Sequence, residues 1–265
     1  MKKQNLLIVL ISLLTISEAN AQFGNLQQKA KDKAAQKASD MMDGKKSTHT
    51  ESAASHKKSS VNTVFDFTAG DSLIFAENFS STPSGSSAKT LKTNGSATVA
   101  TVNDQPGKWL LLQNSATYRL SKQIFYPKHF TVEFDVLATA DKINDLNPMI
   151  FGFTNNNSAK QYIQQDGAHI TLEYYNNDDI IVANEHGKYL STNFDLTPYD
   201  NRPMHVSMVV DGERLAVYLD KTKIADNELF TATDTKNLYI SAPLQSSNGA
   251  KLLISNLRIA GFKKI

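Results

Sequence analysis

The stretch Phe130 to Ala138, FTVEFDVLA, alternates apolar and polar residues with a period of two. Successive side chains of a β-strand point to opposite faces, so Val132, Phe134 and Val136 share one side and Thr131, Glu133, Asp135 and Leu137 the other. The apolar trio predicts a core-facing strand. Its partner pattern lies further along, where HVSMVV (205–210) and RLAVYLD (214–220) flank Val210-Asp211-Gly212-Glu213. Asp-Gly between two alternating runs signals a tight antiparallel hairpin, with Leu215, Val217 and Leu219 turned inward and Arg214, Ala216, Tyr218 and Asp220 outward.

Working outward from these strands, short β-branched and aromatic segments separated by Asn, Asp, Gly and Ser turns continue from Thr63 to the end. They include SLIFA at 72, ATVATV at 97, KWLLLQ at 108, ATYRL at 116, PMIFGFT at 148, KQYIQQ at 160, HITLEYY at 169, DIIVAN at 179, KNLYISA at 236 and AKLLISNLRIA at 250. No helical pattern of ten residues interrupts them. The expectation is an all-β, two-sheet antiparallel jelly-roll sandwich over residues 63–265.

The first residues follow another logic. Lys2 and Lys3, an apolar run from Leu6 to Ile16, and Ala19 and Ala21 at A-x-A spacing predict a signal peptide at 1–21. That run is far shorter than the roughly 20 residues a membrane-spanning helix requires, and no later stretch approaches it. Residues 22–44 carry Phe23, Leu26, Ala30, Ala34, Ala38 and Met41 at helical spacing, an Ala/Lys-rich helix whose weak face would need docking or self-association through 23–42. Residues 45–62, polar and Ser-rich, read as a disordered linker. Residues 23–62 hold eight Lys against four acids, a net +4, whereas 63–265 hold 18 basic residues against 21 acids, a net −3. Export and a slightly acidic folded part exclude nucleic acid as a partner. The chain has no cysteine, which removes disulfides, thiolate catalysis and lipid attachment through sulfur.

Glu133 and Asp135 raise the sharpest chemical question. Two residues apart on one strand, their backbones lie about 6.5 to 7 Å apart, a spacing compatible with the carboxylate pairs of glycosidases. The strand FTVEFDV, the hairpin DGERLAVYLDKTKIAD and the closing strand ISNLRIAG together resemble the concanavalin A-like (laminin G-like) lectin and glucanase superfamily, over residues 65–262. In its β-glucan-cleaving members the strand carries Glu-x-Asp-x-x-Glu or Glu-x-Asp-x-Glu, supplying nucleophile, helper Asp and acid/base. Here Glu133 and Asp135 match, but Leu137 and Ala138 stand where the second Glu belongs, so the resemblance implies a sandwich without that acid. More narrowly, Gly70 to Ser80 (GDSLIFAENFS) behind an Ala/Lys-rich leader resembles exported Gram-negative envelope proteins in which the sandwich precedes an outer-membrane protein A-type domain. No such domain occurs in these residues, so cell-wall anchoring is not carried over.

Neither a Gly-x-Ser-x-Gly elbow, a His-Glu-x-x-His helix nor a Gly-rich phosphate loop is present. His129, His169, His186 and His205 read as single strand or surface residues, and His49 and His56 fall in the linker. The resemblance implies a possible calcium, for which Asn144-Asp145, Asp166 and above all Asp178 and Asp179 offer hard oxygens, although Asn/Asp turns are also ordinary hairpin chemistry. For sugar binding, Glu173 and Tyr175 of HITLEYY share a polar-aromatic face opposite Ile170, Leu172 and Tyr174, and Tyr189 and Tyr199 are further candidates; Trp109, inside WLLL, is expected in the core.

The expected function is therefore a non-catalytic, exported binding or envelope-associated module for a glycan or cell-envelope polymer, in the periplasm, at the outer-membrane periphery or secreted. The alternatives are a glycoside hydrolase whose acid, Glu173 or Glu185, faces Glu133 across the sheet, and an assembly protein acting through the leader helix.

Overall fold

The computed structural model describes residues 65–263. The expected signal peptide, leader helix with its self-association, and linker lie outside the described residues. The strands are β1 (Ser72–Glu77), β2 (Leu91–Thr93), β3 (Ala97–Val102), β4 (Gln105–Leu112), β5 (Thr117–Leu120), β6 (His129–Thr139), β7 (Met149–Thr154) and β8 (Ala168–Glu173). They continue as β9 (Asp179–Ala183), β10 (Tyr189–Asn193), β11 (Met204–Asp211), β12 (Arg214–Leu219), β13 (Thr222–Glu228), β14 (Asn237–Ser241) and β15 (Lys251–Gly261). One sheet runs β13-β12-β11-β6-β15-β4-β3, with β1 also paired to β15, and the other runs β10-β9-β8-β7-β14-β5-β2. Both are antiparallel, and they pack as a sandwich with no helix longer than a single 3-10 turn among the described residues.

The inner faces are the ones that alternation predicts. On β6, Phe130, Val132, Phe134, Val136 and Ala138 are buried; on β12, Leu215, Val217 and Leu219; on β8, Ile170 and Leu172. Phe134 of one sheet meets Phe151 of the other edge to face, with ring centroids 5.3 Å apart, and Phe130 meets Phe153 at 5.7 Å. These T-shaped pairs tie the layers together.

Neither outer face is bare. A strap, residues 65–71, crosses the outside of the first sheet: Phe65 and Phe67 stand edge-on to Tyr218, whose hydroxyl donates to Asp66. The Gly70 N–H donates to Thr131 Oγ1, and a Cβ at Gly70 would sit 2.6 Å from the Ala260 carbonyl oxygen, so only glycine lets the strap approach this closely. Thr131 is consequently buried, and Leu137 packs with Trp109 and Leu253 in a small outer cluster. The expected polar face of β6 is thus largely covered, and Trp109 is buried on the outer rather than the inner side.

The second sheet is covered by a flap, the β7–β8 connection at residues 155–167. KQYIQQ, expected as a strand, lies in it: Ile163 packs on Ile150 and Tyr239, its N–H donates to Thr117 Oγ1, and the Tyr162 hydroxyl donates to the Ala242 carbonyl. Its apolar residues serve a cover rather than a ladder. Arg119, buried on β5, anchors the flap through Nη1 to the Asn156 carbonyl at 2.8 Å and Nη2 to Thr154 Oγ1 at 2.6 Å. The turn ending the flap needs Gly167, at φ +64, because a Cβ there would collide with the Phe153 carbonyl.

Truncating Phe134→Ala, at the centre of the inter-sheet contact, is expected to cost about 3–5 kcal/mol. Urea unfolding followed by tryptophan fluorescence checks it; a loss under 1 kcal/mol would mean the layers do not depend on this contact.

Candidate functional site

Glu133 and Asp135 do not stand free in solvent. In the register, His205 of β11 is the Cα partner of Asp135, and Arg258 of β15 that of Glu133. His205 Nδ1 lies 2.7 Å from Asp135 Oδ1 and its Nε2 lies 3.7 Å from Glu133 Oε2, while Arg258 Nη1 donates to Glu133 Oε1 at 2.7 Å. The second Asp135 oxygen accepts from Asn256 Nδ2 at 2.6 Å. A β-bulge makes this possible. Inward residues on β15 run Leu252, Ile254, then Leu257, Ile259, so parity flips at Ser255–Asn256, where Asn256 adopts φ +53 and Arg258 turns to the outside.

The charges tune one another. The Asp135 bond, aided by Glu133, raises His205 to about 9, so it is an imidazolium at neutral pH. His205 holds the Glu133 carboxyl below its usual range against the opposing effect of burial, with Arg258 adding to it. Burial pushes Asp135 upward, but His205 and Asn256 outweigh it and the net shift is down. The result is a closed ladder of two anions and two cations, and no third carboxyl group bonds to either acid among the described residues.

Glu173 and Glu185 are not placed to complete the pair. Glu133 points outward from the first sheet, whereas Glu173 and Glu185 line the outside of the second. Packed sheets lie about 10 Å apart, and side chains leaving opposite surfaces are farther apart still, beyond the 6.5–9.5 Å of an inverting pair. The expectation that one of them faces Glu133 is corrected by the two-layer topology.

What these residues line instead is a groove of about 410 Å³ on the outside of β8, β9 and β10. Its floor is a row along β8, His169, Thr171 and Glu173, beside Ile181 and Ala183 of β9; Gln164 and Gln165 of the flap wall one side, Lys188 and Tyr189 the other. The row repeats about every 6.5–7 Å. His169 is only 5% exposed and Thr171 7%, yet both reach the groove. His169 Nδ1 lies 3.2 Å from the Gly167 carbonyl, so Nδ1–H donates there and Nε2 presents a lone pair to the groove. Burial keeps this imidazole below its ordinary pKa and hence neutral. Among the described residues the Thr171 hydroxyl, the Glu173 carboxyl and His169 Nε2 have no hydrogen-bond partner. Burial first, then Asp179 opposite, push Glu173 upward. Glu185 is partly spent, accepting from the Gly167 N–H at 3.2 Å and Asn155 Nδ2 at 3.3 Å.

Of the other candidates, Tyr189 is 67% exposed at the groove wall. Tyr175 does not line it: β8 stops at Glu173, and Tyr174–Asn176 form a 3-10 turn that carries Tyr175 out to solvent. Tyr199 is buried, donating to Asp220 at 2.7 Å and stacked on Phe194, a core role rather than a ligand platform. Asp178 accepts from Asn193 and Asp179 from Ser191, each across to β10. No group of three or more His, Cys, Asp or Glu is placed to hold a metal among the described residues. No helix among them is long and apolar enough to cross a membrane. A larger hollow of about 720 Å³ opens between Gln123–Lys128, the Asp211–Arg214 turn and Thr231–Asn237, with acids and bases intermixed.

No family model matches the sequence, and no curated protein matches it. Among solved structures, the binding domain of botulinum neurotoxin serotype D is similar at 14% identity and TM-score 0.47, over 74% of this chain and 49% of that one. The same domain in complex with N-acetylneuraminic acid gives 15% and 0.46, over 74% and 48%. Arcelin-5, a lectin-like defense protein from Phaseolus vulgaris, gives 14% and 0.49, over 70% of this chain and 96% of its own. The chain spans about half the length of the neurotoxin domains it matches. At such identities and scores, function is left to be read from the site itself.

The ladder has a pH signature. His205 is raised from 6.5 to about 9, so its contribution is complete below pH 6.5 and is lost as pH rises through about 9. With its side chain 43% exposed, solvent screening leaves about 1 kcal/mol of it. The stability advantage of wild type over His205→Gln is expected to be largest near pH 6 and gone by pH 10 in urea titrations; a difference constant across that window would show that His205 is not charged by the acids.

Proposed function

We propose that this chain is an exported, non-catalytic binding module of the concanavalin A-like type, which holds a glycan or cell-envelope polymer in the β8–β9–β10 groove. The observation that carries this reading is the row of His169, Thr171 and Glu173. Three polar groups, two of them on almost fully buried residues, are left without protein partners and open into one concavity. These atoms open to the groove, where water hydrates them in the free protein and ligand hydroxyls can take its place. Ile181, Ala183 and the exposed Tyr189 ring add apolar contact for the C–H face of a pyranose, and the groove falls within the size of small-ligand sites.

The absence of catalysis is supported by the ladder. A retaining pair needs a free nucleophile and a proton donor about 5–5.5 Å away, whereas Glu133 and Asp135 are each bonded to cations and, among the described residues, to no third acid. Export rests on the leader MKKQNLLIVLISLLTISEANAQ, and location in the periplasm, at the outer-membrane periphery or outside the cell follows from it.

A glycan array followed by titration calorimetry tests the proposal. Tyr189→Ala and Thr171→Val, both compatible with the fold, are each expected to weaken binding about tenfold, equivalent to 1.4 kcal/mol, without lowering the melting temperature. Binding of no saccharide better than millimolar would remove the reading, and release of reducing sugar that Glu133→Gln abolishes would make the chain an enzyme.

A further inference from the structure

Among the described residues two acids line the groove, one toward each end: Glu185, beside Lys188, accepts from the Gly167 N–H and Asn155 Nδ2, whereas Glu173 stands at the other end. Glu173 at the end of β8 is the Cα partner of Asp179 on β9, and Asp179 in turn that of Asn193 on β10. Like charges directly opposite one another on an antiparallel pair repel, and a sheet ordinarily places a base or a neutral residue there. Asp179 is relieved in part by Ser191 Oγ at 2.7 Å, and neighbouring Asp178 by Asn193 Nδ2 at 3.1 Å. Glu173 has no such relief among the described residues. Among the described residues Lys188 is the one Lys or Arg lining the groove; it precedes Tyr189 at the opposite end and lies 4.0 Å from Glu228. Next along the row, His169 is a buried imidazole presenting an acceptor. The floor therefore offers acceptors at His169 and Glu173 with a hydroxyl between them, and at the Glu173 end negative charge that the protein leaves unbalanced.

We propose that the Glu173 end of the groove binds a ligand ammonium group, so that the glycan it selects is an amino sugar with its amine free. This rests on the glycan-binding reading above. An ammonium supplies three donors and one positive charge to a carboxylate that has neither. Such charge-assisted bonds are about twice as strong as neutral ones. The N-acetylated sugar replaces those donors by a single N–H and brings a carbonyl acceptor and a methyl group against two acids. A uronic acid brings a third carboxylate. The uronic acid is repelled by the same charge that attracts the amine, and the N-acetylated sugar forgoes that attraction. Burial, and then Asp179 opposite, push the Glu173 carboxyl upward, and a cation beside it would offset both.

The experiment is titration calorimetry of the full chain with three tetrasaccharides of matched β-1,4 linkage: glucosamine, N-acetylglucosamine and glucose. Wild type is expected to bind the glucosamine tetramer about tenfold or more tighter than the other two. Glu173→Gln is expected to abolish that preference while leaving the glucose tetramer unaffected, and to melt no lower than wild type, since it removes a repulsion. Asp104→Asn, the same change of charge in the exposed β3–β4 turn, is expected to keep the preference. Equal binding of all three sugars, or a preference that survives Glu173→Gln, would overturn the amino-sugar assignment and leave the glycan reading standing. If none of the three binds, the assignment fails; binding of other sugars on the array then keeps the broader reading, and a blank array removes both.

Discussion

The burial of two facing apolar layers is the constraint on which everything else depends. Phe130 and Phe134 of β6 must interlock with Phe153 and Phe151 of β7, and Leu215, Val217, Ile170 and Leu172 join the same core. With a side-chain period of two, a slip of one residue on any of these strands would put its apolar set in water and its polar set inside. The core therefore dictates the inner face and, by exclusion, which residues appear outside.

The two outer faces then use the same raw material differently. On the first sheet, strap and bulge convert polar alternation into closure: Arg258, His205, Glu133 and Asp135 neutralise one another, and Arg258 Nη2 also donates to the Gly70 carbonyl, linking ladder to strap. On the second sheet, Arg119 is a buried cation hydrogen-bonded to carbonyl and hydroxyl oxygens and set 5.5 Å from the Tyr239 ring centroid, with its Nε unpartnered among the described residues. That is a costly way to pin a loop. It keeps the flap over β5, β14 and β7 and leaves β8, β9 and β10 open. The groove exists because the cover stops short of the sheet edge.

Much of the architecture could be read in the chain. FTVEFDVLA, HVSMVVDGERLAVYLD and the inward triplet of HITLEYY point as their patterns require, because local alternation and global burial agree there. The misreadings have identifiable causes. KQYIQQ has the composition of a strand, but Ile163 and Tyr162 spend their apolar surface on a sheet face from above. Tyr189 to Asn193 was not read as a strand because it is an exposed edge with almost no alternation to detect. Extending the period of two beyond Glu173 puts Tyr175 on the same polar-aromatic face as Glu173, but the chain tightens there into a 3-10 turn. Tyr199 sits in a similar turn that carries it into the core. The bulge in LLISNLRIAG breaks the period of two between Ile254 and Leu257.

By itself the sequence determined the class of fold and the inward sides of β6, β8 and β12, since both depend only on the order of apolar and polar residues and on turn chemistry. Register belonged to the tertiary structure, because pairing joins residues as far apart as Ser72 and Gly261, 189 positions, that no local pattern connects. It was register that brought His205 and Arg258 to Glu133 and Asp135, and set Glu173 opposite Asp179. It also decided that His169, Thr171 and Glu173, ordinary residues of one strand, would be the polar groups left without partners where the flap ends.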